Sequence, residues 1–379
     1  MFSNTKTAAS LRDRRTLSWV TGLSVALMGL STSAFADDAV YTMTNAAAGN
    51  QIAVFTDGPN ELLQLQATIP THGFGTDAGL GSQSSLILSS HGDWLLAVNA
   101  GSNDVSTFRV DRNGQLSLMG RTPSGGTKPI SVTEHDGLVY VLNAGGEGNI
   151  SGFRLSDDGS LRPIPASTRT LGGVAVGPAQ VGFNKSGDIL VVTEKAANAI
   201  AVYAVGDDGV TSSAQANPSV GTTPFGFTFD RHDTLLVSEA FGGATGASAL
   251  SSYETEGQSL ETESASIPTH QSAACWVVVT RTGQFAYTTN TGSGTVTGFR
   301  VSRDGSLRPL TATGISGVTG AGSGPTDAAI ETGELYVLAP SIGSIVRFGI
   351  NADGSLTSRG QVAGLPASAV GLAIRSIGY

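Results

Sequence analysis

From Val40 onward, apolar and polar side chains alternate in short runs rich in Val, Ile, Phe and Tyr, broken by turns of Gly, Asp, Asn and Ser. Stripes of helical period are few, so the pattern predicts an all-β protein. The runs recur with a long period. An aromatic residue closes an alternating strand at Phe55, Phe108, Phe153, Tyr203, Tyr253, Phe299 and Phe348, with gaps of 53, 45, 50, 50, 46 and 49 residues. After several of these anchors comes nearly the same hairpin (FRVDRNGQL, FRLSDDGSL, FRVSRDGSL, FGINADGSL), in which an Asp-Gly or Asn-Gly pair supplies the positive φ of a tight turn. Before each anchor lies another strand, as in the runs ending at Asn99, Asn143, Glu194, Glu239 and Asn290, and before that a turn and a further apolar strand. Each unit therefore holds four antiparallel strands, A to D in sequence order, and seven such units predict a seven-bladed β-propeller.

The two ends of the pattern complement each other. The first unit starts at a B strand (Ala39 to Met43), whereas the run from Ala369 to Ile374 reads as an A strand with nothing to follow it. The C-terminal strand is expected to complete blade one and close the ring, which leaves no sheet edge exposed at the seam.

The recurrent phrase is an alternating strand ending in Asn, a Gly/Ser-rich loop, then Val-x-x-Phe-Arg-Val and Asp-Gly-x-Leu. It resembles the lactonase-type seven-bladed propellers related to bacterial 6-phosphogluconolactonase and fungal carboxymuconate cyclases, over the whole chain after residue 36. The resemblance implies the propeller fold and a small-molecule substrate handled where the channel opens, and no cofactor. It leaves the reaction open, because a fold hosts many functions.

The first residues carry a different signal. Lys6, Arg12, Arg14 and Arg15 precede an apolar run from Leu17 to Leu30 and the small-residue site Ala34-Phe35-Ala36, which reads as an export signal over 1–36 followed by the propeller over 37–379. A periplasmic or secreted protein without a membrane span is expected. Loss of four cations and Asp13 takes the formal net charge from -9 to -12, and an acidic chain with no basic stripe disfavours nucleic acid. The single cysteine, Cys275, lies in an apolar run and reads as a buried thiol, so stability must come from a large core. A monomer is expected.

Strand direction places the D-to-A and B-to-C loops on one face of the disc, the top. The B-strand ends read Asn45, Asn99, Asn143, Glu194, Glu239, Asn290 and Ala339, so two successive blades carry a carboxylate where amides prevail. Two acids facing one hollow would repel and lose water, which raises a pKa toward the range of a general base. Pairing with Lys128 and Lys195 is the structural alternative. Lactone hydrolysis needs a base for water and a donor for the oxyanion. Glu194 or Glu239 is expected as the base and Lys128 or His270 as the donor. His72 and His270 sit in duplicated Ile-Pro-Thr-His phrases at the top. With Gln83, Asn99, Asn143, Gln180, Gln271, Asn290 and Asp327, His72 forms the expected substrate-binding set. No metal-ligand spacing and no Gly-x-Ser-x-Gly occurs, so a metal-independent hydrolase is expected.

Arginines suited to a phosphorylated or polycarboxylated substrate are missing from the expected mouth, which favours a small, weakly charged lactone. The main alternative is a non-catalytic scaffold that binds a protein or a cell-envelope ligand, and a lactone-closing cycloisomerase is a third.

Overall fold

The computed structural model describes residues 1, 37–57, 62–173 and 175–377; the expected signal segment thus lies outside the described residues, apart from Met1. Blade one begins with β1 (Asp37–Met43), β2 (Gln51–Asp57) and β3 (Leu63–Pro70). Blade two is β4 (Leu86–Leu88), β5 (Trp94–Asn99), β6 (Asp104–Val110) and β7 (Leu116–Pro123). Blade three is β8 (Pro129–His135), β9 (Leu138–Asn143) and β10 (Asn149–Leu155), with its outer strand split into β11 (Leu161–Pro163) and β12 (Arg169–Thr170). Blade four is β13 (Pro178–Phe183), β14 (Ile189–Glu194), β15 (Ala199–Ala204) and β16 (Gln215–Pro218). Blade five is β17 (Pro224–Phe229), β18 (Leu235–Glu239), β19 (Ala249–Glu256) and β20 (Ser259–Pro268). Blade six is β21 (Ala274–Val279), β22 (Phe285–Asn290) and β23 (Thr295–Val301), followed by the short β24 (Leu307–Pro309) and β25 (Gly317–Val318). Blade seven is β26 (Ala328–Glu331), β27 (Glu334–Ala339), β28 (Ser344–Ile350) and β29 (Leu356–Ala363), and the last strand is β30 (Val370–Ile377).

That last strand joins blade one. β30 pairs antiparallel with β1, with Tyr41 opposite Ala373 and Val40 opposite Ile374, so the sheet order is β3-β2-β1-β30 and the ring closes as the pattern predicts. The fold is a seven-bladed β-propeller.

Burial follows position within the blade. The B strands β5, β9, β14 and β22 are buried at every residue, because each is covered by a neighbouring blade on both faces, whereas the outer strand β7 is exposed at alternate positions. All seven anchor aromatics are buried. Each contributes about 1.5–3 kcal/mol relative to an exposed side chain, which accounts for the period on which the pattern is built. Hydroxyls tie blades to one another through the C-to-D turns. Tyr41, Tyr140 and Tyr287 donate to the carbonyls of Gly114, Gly209 and Gly354 in the next blade, at 2.7, 2.8 and 2.7 Å. Those glycines have φ of 74°, 82° and 88°, the left-handed conformation expected from the Asp-Gly and Asn-Gly turns.

Candidate active site at the top of the ring

The B strands end with side chains turned into their own blades. Glu239 is fully buried. Its Oε1 accepts from the Gly221 backbone N–H at 2.8 Å and from Ser251 Oγ at 2.5 Å, and its Oε2 accepts from Ser266 Oγ at 2.5 Å. Glu194 makes the matching contact in blade four, accepting from the Gly172 N–H at 3.2 Å, and burial pushes its carboxyl pKa up. Gly172 and Gly221 both lie in the loop leading to their blade's A strand. The amides at this position are also turned into their own blades, with other partners. Asn99 accepts from Thr71 Oγ1 at 2.8 Å and donates to Asp104 and Ser106; Asn143 donates to the Ser124 carbonyl at 3.1 Å and to Asn149; Asn290 donates to Thr295 and Thr297. The expectation of two acids facing a common hollow therefore gives way to another arrangement, in which each carboxylate latches the loop that leads into its own blade. The same comparison corrects blade one, where Thr44, whose N–H bonds to the Gln51 carbonyl, takes the matching position and Asn45 lies one residue beyond it.

The A strands surround the channel, and their inner edges carry backbone groups with no further strand to pair with. Side chains take that role. Gln180 accepts from the Phe227 N–H at 2.7 Å and donates to the Phe227 carbonyl at 3.0 Å, as a fifth strand would. Gln83 crosses from the loop before β4 to blade six, where it accepts from the Val277 N–H at 3.0 Å and donates to the Val277 carbonyl at 2.9 Å. Its passage requires a glycine: a Cβ at Gly226 would lie 2.1 Å from the Gln83 Oε1. Asp327 is buried at the start of blade seven and accepts from the Gly371 N–H at 2.8 Å. Burial lifts its pKa to about 7 against the opposing N–H groups of Gly371 and Ser84. Gln83, Gln180 and Asp327 thus complete sheet edges and join blades. Two cavities of about 310 and 230 Å³ share Gln83, Ser84 and Ile87 in their linings.

Above this layer the top mouth gathers a different set. Lys195, the first residue after β14, sends its Nζ to the Gly81 carbonyl at 2.5 Å and over the Phe225 ring at 4.5 Å. Phe225 packs at 5.0 Å from the ring of Trp276, whose Nε1 donates to the Ser82 carbonyl at 2.9 Å. Burial lowers the Lys195 pKa to about 8, with the nearby Lys128 ammonium adding to the drop. Lys128 itself is exposed, with a left-handed φ of 55° and its N–H bonded to Asn103.

His72 and His270 are exposed and share one backbone conformation, with φ of 59° and 56°. In each phrase the preceding Thr clamps the turn: Thr71 Oγ1 accepts from the Gly73 N–H and Thr269 Oγ1 from the Gln271 N–H, both at 3.1 Å. The repeat of the phrase is thus a repeat of turn geometry. Gln271 joins the loops around it by donating to the His270 and Thr313 carbonyls. Among the described residues no hydrogen bond joins His72 to His270.

Lys195 escapes sequence reasoning because it is adjacent to Glu194 and reads there as its partner. The strand end turns the two apart, carboxylate toward Gly172 and amine toward Gly81. Phe225 and Trp276 could have been found from register, since Trp276 pairs with Thr289 as Gln180 pairs with Thr193. On the opposite face a depression of about 600 Å³ lies between blades two and three, lined by His91, Asp93, Trp94, Arg109 and Glu134. Two of its carboxylates are engaged: Glu134 accepts from the Ser90 and Gly137 N–H groups, and Asp93 faces Arg109 at 3.7 Å. Among the described residues no three His, Cys, Asp or Glu side chains cluster as metal ligands.

Comparison with known proteins places these features. The family model "Lactonase, 7-bladed beta-propeller" matches residues 37–178 and 148–240. No curated protein sequence gives a significant match. Among solved structures, the periplasmic gluconolactonase of Pseudomonas aeruginosa superposes with a TM-score of 0.70 at 17% identity, over 90% of this chain and 99% of that one. A Bacteroides fragilis protein proposed to be a 6-phosphogluconolactonase gives 0.69 at 18% identity, over 91% and 99%. A Lactobacillus plantarum protein gives 0.69 at 18%, over 90% and 99%. At such identity the likeness is one of fold.

Proposed function

Because the chain belongs to the lactonase family of seven-bladed β-propellers, we propose that it hydrolyses a small lactone or related cyclic ester at the top mouth of its ring. The observation that carries this reading is the pair of amines at that mouth, Lys195 over the buried Phe225 ring and the exposed Lys128 nearby. Cationic groups can receive the charge that develops on the carbonyl oxygen of a lactone. In this reading Lys128 stabilises the oxyanion, and the exposed His72 and His270 reach substrate only from the rim. Glu194 and Glu239 fix the loops of the mouth instead of taking the proton, since Glu239 already accepts from three donors and Glu194 from Gly172. The family resemblance and the export-like first residues support action in the periplasm or outside the cell, on a small molecule and as a monomer.

A panel of aldonolactones and simple aliphatic lactones, followed by acid release in a pH-stat, tests the proposal. Turnover of at least one, lost on mutation of the mouth, is expected; no turnover on any lactone overturns it. A second reading, a non-catalytic propeller presenting its top face to a protein or polymer, is favoured by one observation, the half-exposed Phe74 in the loop between blades one and two. It predicts a stable partner and no lactone turnover.

A further inference from the structure

The depression between blades two and three, on the face opposite the mouth, carries chemistry that lactone hydrolysis does not use. We propose that it binds a neutral, hydroxyl-rich ligand, a short oligosaccharide, and the proposal is independent of the hydrolase reading. Its volume of about 600 Å³ lies within the span of about 300–1,000 Å³ in which proteins hold small molecules. Its walls are tied together by Glu134. From β8 in blade three, one carboxylate oxygen accepts from the Ser90 N–H at 2.6 Å and from the Ser90 hydroxyl at 2.8 Å in the turn of blade two, and the other accepts from the Gly137 N–H at 2.6 Å. The two blades are thus fixed relative to each other before anything binds.

Trp94 points to a ligand. Its ring is nine-tenths buried and lines the depression. The Arg109 guanidinium covers the ring at 4.8 Å, and its Cζ3 edge lies so close to the Asp157-Asp158-Gly159 turn that a Cβ at Gly159 would stand 2.6 Å away. Held in this way, its Nε1–H has no acceptor among the described residues. A buried indole N–H ordinarily finds one, as that of Trp276 does at the Ser82 carbonyl. Blade six repeats the arrangement without the donor. There Phe285 stands opposite Arg300 as Trp94 stands opposite Arg109, the guanidinium covers the ring at 4.9 Å, and the depression beside it is smaller, about 370 Å³. The packing therefore needs an aromatic ring, and what the indole adds is a donor for whatever fills the space it lines. The carboxylates select the partner. Asp93 is matched by the Arg109 and Arg375 guanidiniums at 3.7 and 3.9 Å, but Asp136 and Asp157 are exposed, and Asp157 accepts from nothing among the described residues. An ammonium could meet these acids but offers no acceptor to Trp94, and an anion would accept from Trp94 but is repelled by the acids. Hydroxyl groups do both, accepting from the indole and donating to a carboxylate.

The experiment titrates the full chain with maltotriose, cellotriose and N-acetylated chitotriose by calorimetry, with tryptophan emission followed in parallel and spermidine and citrate as cationic and anionic probes. Saturable binding of at least one saccharide with a change in emission is expected. Trp94→Phe, which copies Phe285 of blade six and removes the donor while keeping a ring under Arg109, should weaken that binding about tenfold, the factor for one lost hydrogen bond. Asp157→Asn, on an exposed turn, should weaken it by about threefold or more. No saturable saccharide binding overturns the proposal, as does binding of spermidine or citrate in place of the saccharides, or wild-type affinity in a Trp94→Phe variant that melts like wild type. Where Trp94→Phe does not fold, Asp157→Asn decides: weakened binding supports the site and wild-type affinity overturns it.

Discussion

Replacing Glu239 separates a latch from a catalytic acid, because the two roles predict opposite pairings of stability and turnover. In Glu239→Gln the shape is kept. The amide oxygen still accepts from Gly221 and Ser251, and the new NH2 donates to Ser266, whose hydroxyl rotates to accept. What is lost is the extra strength of bonds to a charged acceptor, about 1–2 kcal/mol in all. Glu239→Ala instead leaves a buried N–H and two hydroxyls without their acceptor and opens a cavity, at roughly 3–5 kcal/mol. With about 2.1 cal/mol/K per residue, unfolding entropy for a propeller of this size is roughly 0.7 kcal/mol/K, so the shifts in Tm are about 2 °C for Gln and about 4–7 °C for Ala. The assay is calorimetry at pH 7 with lactone turnover measured on the same preparations. Turnover near the wild-type level in Glu239→Gln, with the smaller loss of Tm, is expected. Abolished turnover with an unchanged Tm would refute the reasoning, since it would mean the carboxylate acts on substrate and not on its own loop.

Asp327, whose folded pKa of about 7 lies above the ordinary value of 3.8, holds a proton in the folded chain that the unfolded chain has released between those values, so its ionisation makes stability fall as pH rises through that window. Asp327→Asn keeps an acceptor for Gly371 and should flatten the fall in Tm between about pH 4 and 7; a profile as steep as wild type would count against it. Gly226→Ala places a Cβ 2.1 Å from Gln83 and should dislodge the bridge to Val277, at about 1–3 kcal/mol, with a change in Trp276 fluorescence; a wild-type Tm and spectrum would contradict it. A chain ending at Pro366 lacks β30, leaves β1 as an open edge beside Tyr41, and should aggregate instead of melting cooperatively; a single sharp transition at the wild-type midpoint would sink that expectation.

The architecture was legible because burial is periodic: each blade hides one C-strand aromatic and one B strand, and the missing A strand at one end has its counterpart at the other. Strand pleat also located the B-strand ends, with an error of one residue at Asn45. It could not say what those side chains touch. Parity along a strand assigns a face, whereas Glu194 and Glu239 are engaged by loops whose closure depends on Gly172 and Gly221, far back in sequence. Likewise Gln83 was placed at the channel, but its bond to Val277 joins residues 194 apart and exists only once the ring has formed. Lys195 was hidden by adjacency to an acid from which the turn separates it.

The latches also bear on how such a ring can diversify. Glu194 and Glu239 grip backbone N–H groups, and Asn143 grips a backbone carbonyl, so what holds these top loops is largely indifferent to the side chains they carry. Substitutions can accumulate along the rim, altering what it recognises, while the strand ends keep presenting each new surface at the same height above the disc.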